Sequence, residues 1–355
     1  MIDLLKDIES LTSQQRAALE QLAKKAGIAL PEPSLAPRPP GMNSVPLSFA
    51  QQRLWFLDQL EPGSPVYNLS SAMRLSGSLH VGALRGSLNE IVRRHEALRT
   101  SFTNADGQPA QVIHDEGAVT LALPVMPLAH LPEPEREAEV QRLSAEEARC
   151  PFDLTEAPLL RATLLRLSDH EHVILFTMHH IVSDGWSLGV FVRELTTLYE
   201  AFSAGRPSPL PALPIQYADY ALWQRRDLRG EKLEERLSFW RKQLGGDLPV
   251  LELPTDRPRP TVQNYRGAWH TFTLDAGLTS ELKSLCQAAD VTAFMALLAA
   301  FQVLLYRYTG QTEIVVGAPV ANRSRAGLED LIGFFVNTLA LRADLSGDPP
   351  FAELL

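Results

Sequence analysis

The chain has 355 residues, 45% of them hydrophobic and 21% charged, with a formal charge of −9. That length exceeds the ~250 to 300 residues one core organises, so two core-forming units are expected. The ordinary hydrophobic content argues against a largely disordered chain, and the acidic balance against a nucleic-acid ligand, whose phosphates select a basic face.

Met1 is followed by Asp3, Lys6 and Asp7, not by a basic start and an apolar core. No apolar run reaches the ~18 residues of a membrane span, and a cytoplasmic protein without membrane contact is expected. Residues 1–30 read as two short helices: Thr12 and Gln15 fit a capping box, Leu19, Leu22, Ala23 and Ala26 form a stripe, and Gly27 stops it. The Pro-rich PEPSLAPRPPGMNSVP then reads as an extended, unpacked linker. Residues 1–43 are thus an appendage, either a frayed extension or a docking element for a partner protein.

Residues 44–215 alternate helix and strand signals. FAQQRLWFLDQL is helical by spacing, SSAMRLSG strand-like, and VGALRGSLNEIVRRHEAL a helix with Leu84, Leu88 and Ile91 on one face. RTSFTNADGQPAQVIH reads as a hairpin around Asp106 and Gly107, and LLRATLLRLSDHEHVILFTMHH as two strands joined at Ser168 to Glu171. The mixture predicts a sheet covered on one side by helices, an α/β sandwich. Prolines and glycines between Gly205 and Pro214 set a second boundary, with residues 216–355 as the other lobe. There, YALWQRRDLRGEKLEERLSFWRKQL reads as one long amphipathic helical stretch. AWHTFTLDAGLTSELKSLCQAADVTAFMALLAAFQVLLYRYTG reads as strand, helix, helix, and TEIVVGAPVANR as a strand entering a loop.

The stretch that carries chemistry is HVILFTMHHIVSDGWSLGV, residues 172–190. Its first half predicts a strand buried on both faces. From Leu188 on, Phe191, Val192, Leu195, Tyr199 and Phe202 recur at helical spacing. The histidines therefore stand at a strand end, before a turn, where loops present polar groups to a cleft. A structural pair is one reading. A metal pair is disfavoured, because neighbouring strand residues point to opposite faces and no nearby Glu or Cys completes a ligand set. The cysteines, Cys150 and Cys286, are far apart and outside any paired-cysteine spacing. The reading that explains most is proton handling by the one histidine that faces a cleft. Asp184 would then orient that ring or pin the loop through an arginine, and Gly185 would permit a sharp turn or close approach of a substrate. No G-x-S-x-G elbow is present, so the nucleophile is external.

HHIVSDG resembles the His-His-x-x-x-Asp-Gly signature of condensation domains in nonribosomal peptide synthetases, relatives of chloramphenicol acetyltransferase. LSFAQQRLWFLDQL (Leu47 to Leu60), RHEALRTSF (Arg94 to Phe102), YADYALWQ (Tyr217 to Gln224) and IGFFVNTLALR (Ile332 to Arg342) resemble further motifs of that family, in its order. The resemblance implies two acetyltransferase-like α/β lobes in a V shape, residues 44–215 and 216–355. It implies amide formation between a donor acyl or peptidyl thioester and an acceptor aminoacyl thioester. Both arrive on phosphopantetheine arms of carrier domains, and no cofactor is bound permanently. The donor carrier is expected in trans and the acceptor carrier downstream, with an adenylation domain in the same assembly line.

By the same resemblance His180 faces the tunnel and either takes the amine proton or stabilises the tetrahedral intermediate. His179 orients the loop, and Gly185 lines the approach to the reacting centre. Asp184 forms a structural ion pair with an arginine, Arg323 being the best match and Arg99 and Arg53 the alternatives. Trp186 and Phe334 read as core or tunnel wall. Retention of both histidines argues against heterocyclisation, and GWSLGVFVREL is similar to the subtype joining an L-donor to an L-acceptor. QLGGDL, residues 243–248, has the Leu-Gly-Gly of a carrier domain but no following serine, and reads as a helix stop. Two family motifs are missing after DPPFAELL, which implies a C-terminally truncated domain with an incomplete second lobe. The alternatives are a coenzyme A-dependent acyltransferase of the same fold and a non-catalytic, condensation-like recruitment module.

Overall fold

A computed structural model describes residues 35–105, 107–261, 267–268 and 270–355; the helices read in residues 1–30 lie outside them. The chain packs as two compact units. One runs to Glu234 and regains Ala321–Val336, and the other comprises Glu235–Val320 and Asn337–Leu355.

In the first unit, β1 (Ser44–Pro46), β3 (Thr100–Ala105) and β4 (Gln108–Ile113) form one antiparallel sheet in the order β1-β4-β3. A second sheet has the order β2-β7-β6-β5, from β2 (Asn68–Ser76), β5 (Val125–Pro127), β6 (Leu160–Arg166) and β7 (Glu171–His179). β7 is flanked on both sides, with Asn68 opposite His179 and Leu160 opposite Met178, and every residue after Glu171 is buried. Its side chains alternate between two cores, as period two requires. Ile174, Phe176 and Met178 meet Leu84, Leu88 and Ile91 of the Val81–Arg94 helix and Val190, Phe191 and Leu198 of the Gly185–Ser203 helix. Val173 and Leu175 join Val140 of the Glu133–Arg149 helix. The sheet thus carries helices on both faces, where the sequence pattern predicts one. The Glu133–Arg149 helix buries Val140 alone and is otherwise strongly polar, so its stripe is too narrow to read from periodicity.

Three further readings change. The linker is not unpacked throughout: Leu35 sits against the main core, and the Arg38 guanidinium pairs with Glu96 at 2.7 Å and Asp219 at 3.1 Å. The division expected at residue 215 falls instead at Glu234, because the Tyr217–Asp227 helix buries Tyr217, Ala218, Tyr220 and Ala221 in the first unit. The single long helix beyond it is broken, and Gly230, at φ 57°, starts a separate Gly230–Gln243 helix.

The second unit holds the Ala276–Ala288 and Ala293–Thr309 helices and a two-stranded antiparallel sheet, β8 (Glu313–Val320) with β9 (Asn337–Asp344). No strand precedes Ala276 among its described residues. Its small core gathers Leu305, Ile314 and Leu345. Among the described residues no single helix is long and apolar enough to cross a membrane.

Candidate active site

β7 ends at His179, a one-turn 3-10 segment spans His180–Val182, and the long Gly185–Ser203 helix begins behind Asp184. The two histidine rings have opposite surroundings. His179 is 3% exposed and lies edge-on to Tyr67 and Phe152. Its Nδ1 accepts the Ile181 N–H at 3.1 Å, capping the 3-10 turn. Burial, with the neighbouring His180 adding to it, pushes the His179 imidazole down to about 4, so it is neutral near pH 7.

His180 is half-buried. Its Nδ1 lies 2.8 Å from the Ser183 carbonyl oxygen. A carbonyl only accepts, so Nδ1 carries the proton and the lone pair of the neutral ring sits on Nε2. Phe334 approaches the imidazole edge-on, with ring centroids 4.8 Å apart.

Asp184 is fully buried and saturated. Oδ1 accepts from Ser187 N at 2.8 Å, Ser187 Oγ at 2.7 Å and Arg323 Nη2 at 3.1 Å, and Oδ2 accepts the Phe335 N–H at 3.0 Å. It therefore caps the helix and fastens the Ala321–Val336 segment to it. Arg323 in turn donates to the Leu328 and Leu331 carbonyls and lies 4.0 Å over the Phe335 ring. Burial lowers the Arg323 guanidinium below its usual value while Asp184 opposes that shift. The alternative partners lie elsewhere: Arg99 bonds Glu96 and the His114 carbonyl, and Arg53 is exposed.

At Gly185 an added Cβ would meet nothing within 4 Å and φ is not left-handed, so neither packing nor backbone conformation demands glycine. Trp186 is not in the core. It is 47% exposed, and its Nε1–H donates to the Glu329 carbonyl at 2.9 Å. Phe334 is buried at 3%.

Sequence reasoning passed over Ser187, whose hydroxyl touches Asp184, Arg323 and both backbone groups of Gly333. Its place three residues after the N-cap was the available signal. It also passed over the buried cluster behind the helix. There, His95 Nδ1 accepts from Ile332 N at 3.3 Å, its Nε2 meets Glu194 at 2.9 Å, and Arg94 pairs with the same carboxylate at 3.0 Å. Among the described residues no group of His, Cys, Asp and Glu side chains could hold a metal ion.

A family model described as "Condensation domain" matches residues 42–355. A linear gramicidin synthase of Brevibacillus parabrevis is 55% identical over 311 residues, covering 88% of this chain and 4% of that protein. Phosphinothricin tripeptide synthetase PhsC of Streptomyces viridochromogenes is 46% identical over 355 residues, covering 100% of this chain and 32% of that protein. The chain thus spans a small part of these curated relatives. Among solved structures, the X-domain from teicoplanin biosynthesis in its complex with OxyB has a TM-score of 0.80 at 35% identity, covering 92% of this chain and 70% of that one. The first condensation domain of the CDA synthetase, at 23% identity and a TM-score of 0.73 over 88% of this chain and 74% of that one, shares the fold.

Proposed function

The chain belongs to the condensation-domain family, and we propose that it joins a donor acyl or peptidyl thioester to an acceptor aminoacyl thioester as an amide. The observation that carries this reading is the half-buried His180 imidazole, whose Nδ1–H is committed to the Ser183 carbonyl, so that Nε2 is the ring nitrogen left to meet a substrate. The acceptor amine attacks the donor carbonyl, a C–N bond forms, and Nε2 accepts the proton the amine sheds. Collapse of the tetrahedral intermediate breaks the C–S bond, and the departing thiolate takes that proton. Holding two tethered reactants together supplies much of the rate. His179 and Asp184 are structural in this scheme, fixing the turn from opposite ends, and the open space at Gly185 favours close approach of a substrate arm.

The phosphopantetheine arms of a donor carrier, reached in trans, and of a downstream acceptor carrier deliver the substrates. An adenylation domain of the same assembly line loads them, in the cytoplasm. The stretch after Asp184 favours L-configured donor and acceptor.

The test supplies wild type and His180→Ala with one donor, either carrier-bound or on coenzyme A, and follows amide formation. The wild type is expected to use the carrier-bound donor, and His180→Ala to lose about 10²- to 10⁴-fold in rate with an unchanged melting temperature. Equal use of coenzyme A would favour a free acyltransferase. A recruitment module is a second reading, favoured by the teicoplanin X-domain's complex with OxyB. It predicts an inactive wild type that still binds a partner.

A further inference from the structure

Tyr217 lies at the start of the Tyr217–Asp227 helix and is 1% exposed. Its hydroxyl is the middle of a buried chain of hydrogen bonds. The Phe334 carbonyl, 2.5 Å away, only accepts, so Tyr217 donates to it. The single phenolic proton being used, the Ser48 hydroxyl 2.8 Å away must donate to Tyr217. Ser48 Oγ then accepts the Gln51 N–H at 3.1 Å, and Gln51 Nε2 donates to the Ile181 carbonyl at 3.3 Å. Phe334 packs on His180, and Ile181 follows His180 in the chain. The contacts therefore close a ring: His180, Ile181, Gln51, Ser48, Tyr217, Phe334 and His180 again.

We propose that Gln51, Ser48 and Tyr217 are positioning residues for His180, holding the turn that bears the imidazole and the aromatic wall beside it at a fixed separation. Two observations support a dedicated arrangement. Only glycine at position 333 lets the phenol ring reach Phe334, since a Cβ there would lie 2.0 Å from Tyr217 Cδ2. Burial raises the Tyr217 hydroxyl well above its usual value, which keeps its proton in place to donate. The bonds from Gln51 N–H through Ser48 and Tyr217 to Phe334 all point the same way, so each polarises the next.

The catalytic half of this inference rests on the amide-forming reading, and the test separates the two. Imidazole resonances of His180, assigned by their loss in His180→Ala, are compared in wild type, Tyr217→Phe, Ser48→Ala and Ser48→Thr, alongside kcat and KM. The expected result is a shifted or broadened His180 signal in Tyr217→Phe and Ser48→Ala. A fall in kcat of about ten-fold at nearly constant KM should accompany it, with both restored in Ser48→Thr. A folded Tyr217→Phe that melts earlier but leaves the His180 signal and kcat unmoved would overturn the relay. If the wild type forms no amide, the proposed function fails and the resonances alone decide the relay. If Tyr217→Phe does not fold, Ser48→Ala against Ser48→Thr is held to the same criterion.

Discussion

Adjacent histidines at the end of β7 do different work because one ring is sealed and the other is not. For His179, the folded state holds the imidazole at about 4, below its ordinary 6.5, through desolvation. The unfolded chain therefore takes up the proton first, so the stability is intact above 6.5 and drains as pH falls toward 4. A shift of that size is worth roughly 3 kcal/mol at the acid end. His95, lowered by complete burial against the pull of Glu194, adds in the same direction. Urea midpoints of the wild type are expected to fall across this window, and those of His179→Asn to fall less steeply; parallel profiles would contradict the assignment. Asp184 offers a second measurement. Asp184→Asn keeps the shape but leaves the Arg323 guanidinium buried without its counter-charge. A loss of about 3 to 5 kcal/mol in unfolding free energy is expected. Adding Arg323→Met should return part of it, because the double variant leaves no uncompensated buried charge.

The element that organises the site is the Ala321–Val336 segment, which has almost no regular structure of its own. Its order comes from partners: Arg323 on Asp184, Ser187 on Gly333, Tyr217 on Phe334 and His95 on Ile332. Gly333→Ala should therefore cost about 1 to 3 kcal/mol by overpacking Tyr217, and slow the proposed amide formation through Phe334. Thermal melts and single-turnover rates check the two effects separately. Sequence alone exposes the strand that ends at His179 and the helix starting at Gly185, since each buries a wide apolar face, and the helix starting at Phe49 by its spacing, although that helix buries only Gln51 and Leu54. The resemblance points to Arg323 as the partner of Asp184, but the other contacts of this segment stay hidden, because Ser187 with Gly333, Tyr217 with Phe334 and His95 with Ile332 join residues more than a hundred positions apart and end on backbone groups, which leave no mark in composition. The Glu133–Arg149 helix and the break at Gly230 escape for a local reason: one has a single buried residue and the other interrupts an otherwise continuous polar pattern.

At the scale of the molecule the two units differ sharply in how much apolar surface they hide. The first has a large continuous core. In the second, Phe294, Leu297, Phe301, Leu304 and Tyr308 all stand about half exposed or more on the Ala293–Thr309 helix, spaced to form one stripe. A stripe of this kind drives association. The isolated chain is expected to bind a hydrophobic dye and to sediment faster as concentration rises, and Phe294→Glu with Phe301→Glu should suppress both; a chain that stays monomeric and dye-free would show the stripe to be covered. The Ala321–Val336 excursion leaves from Val320 and returns at Asn337, and those two residues face each other as the last pair of the β8–β9 ladder. A loop whose ends are already neighbours can be exchanged whole without re-registering either strand. Natural variation, or a designer, can thus recut this segment as a cassette so long as Arg323, Gly333 and the Phe334 carbonyl are kept to meet Asp184, Ser187 and Tyr217.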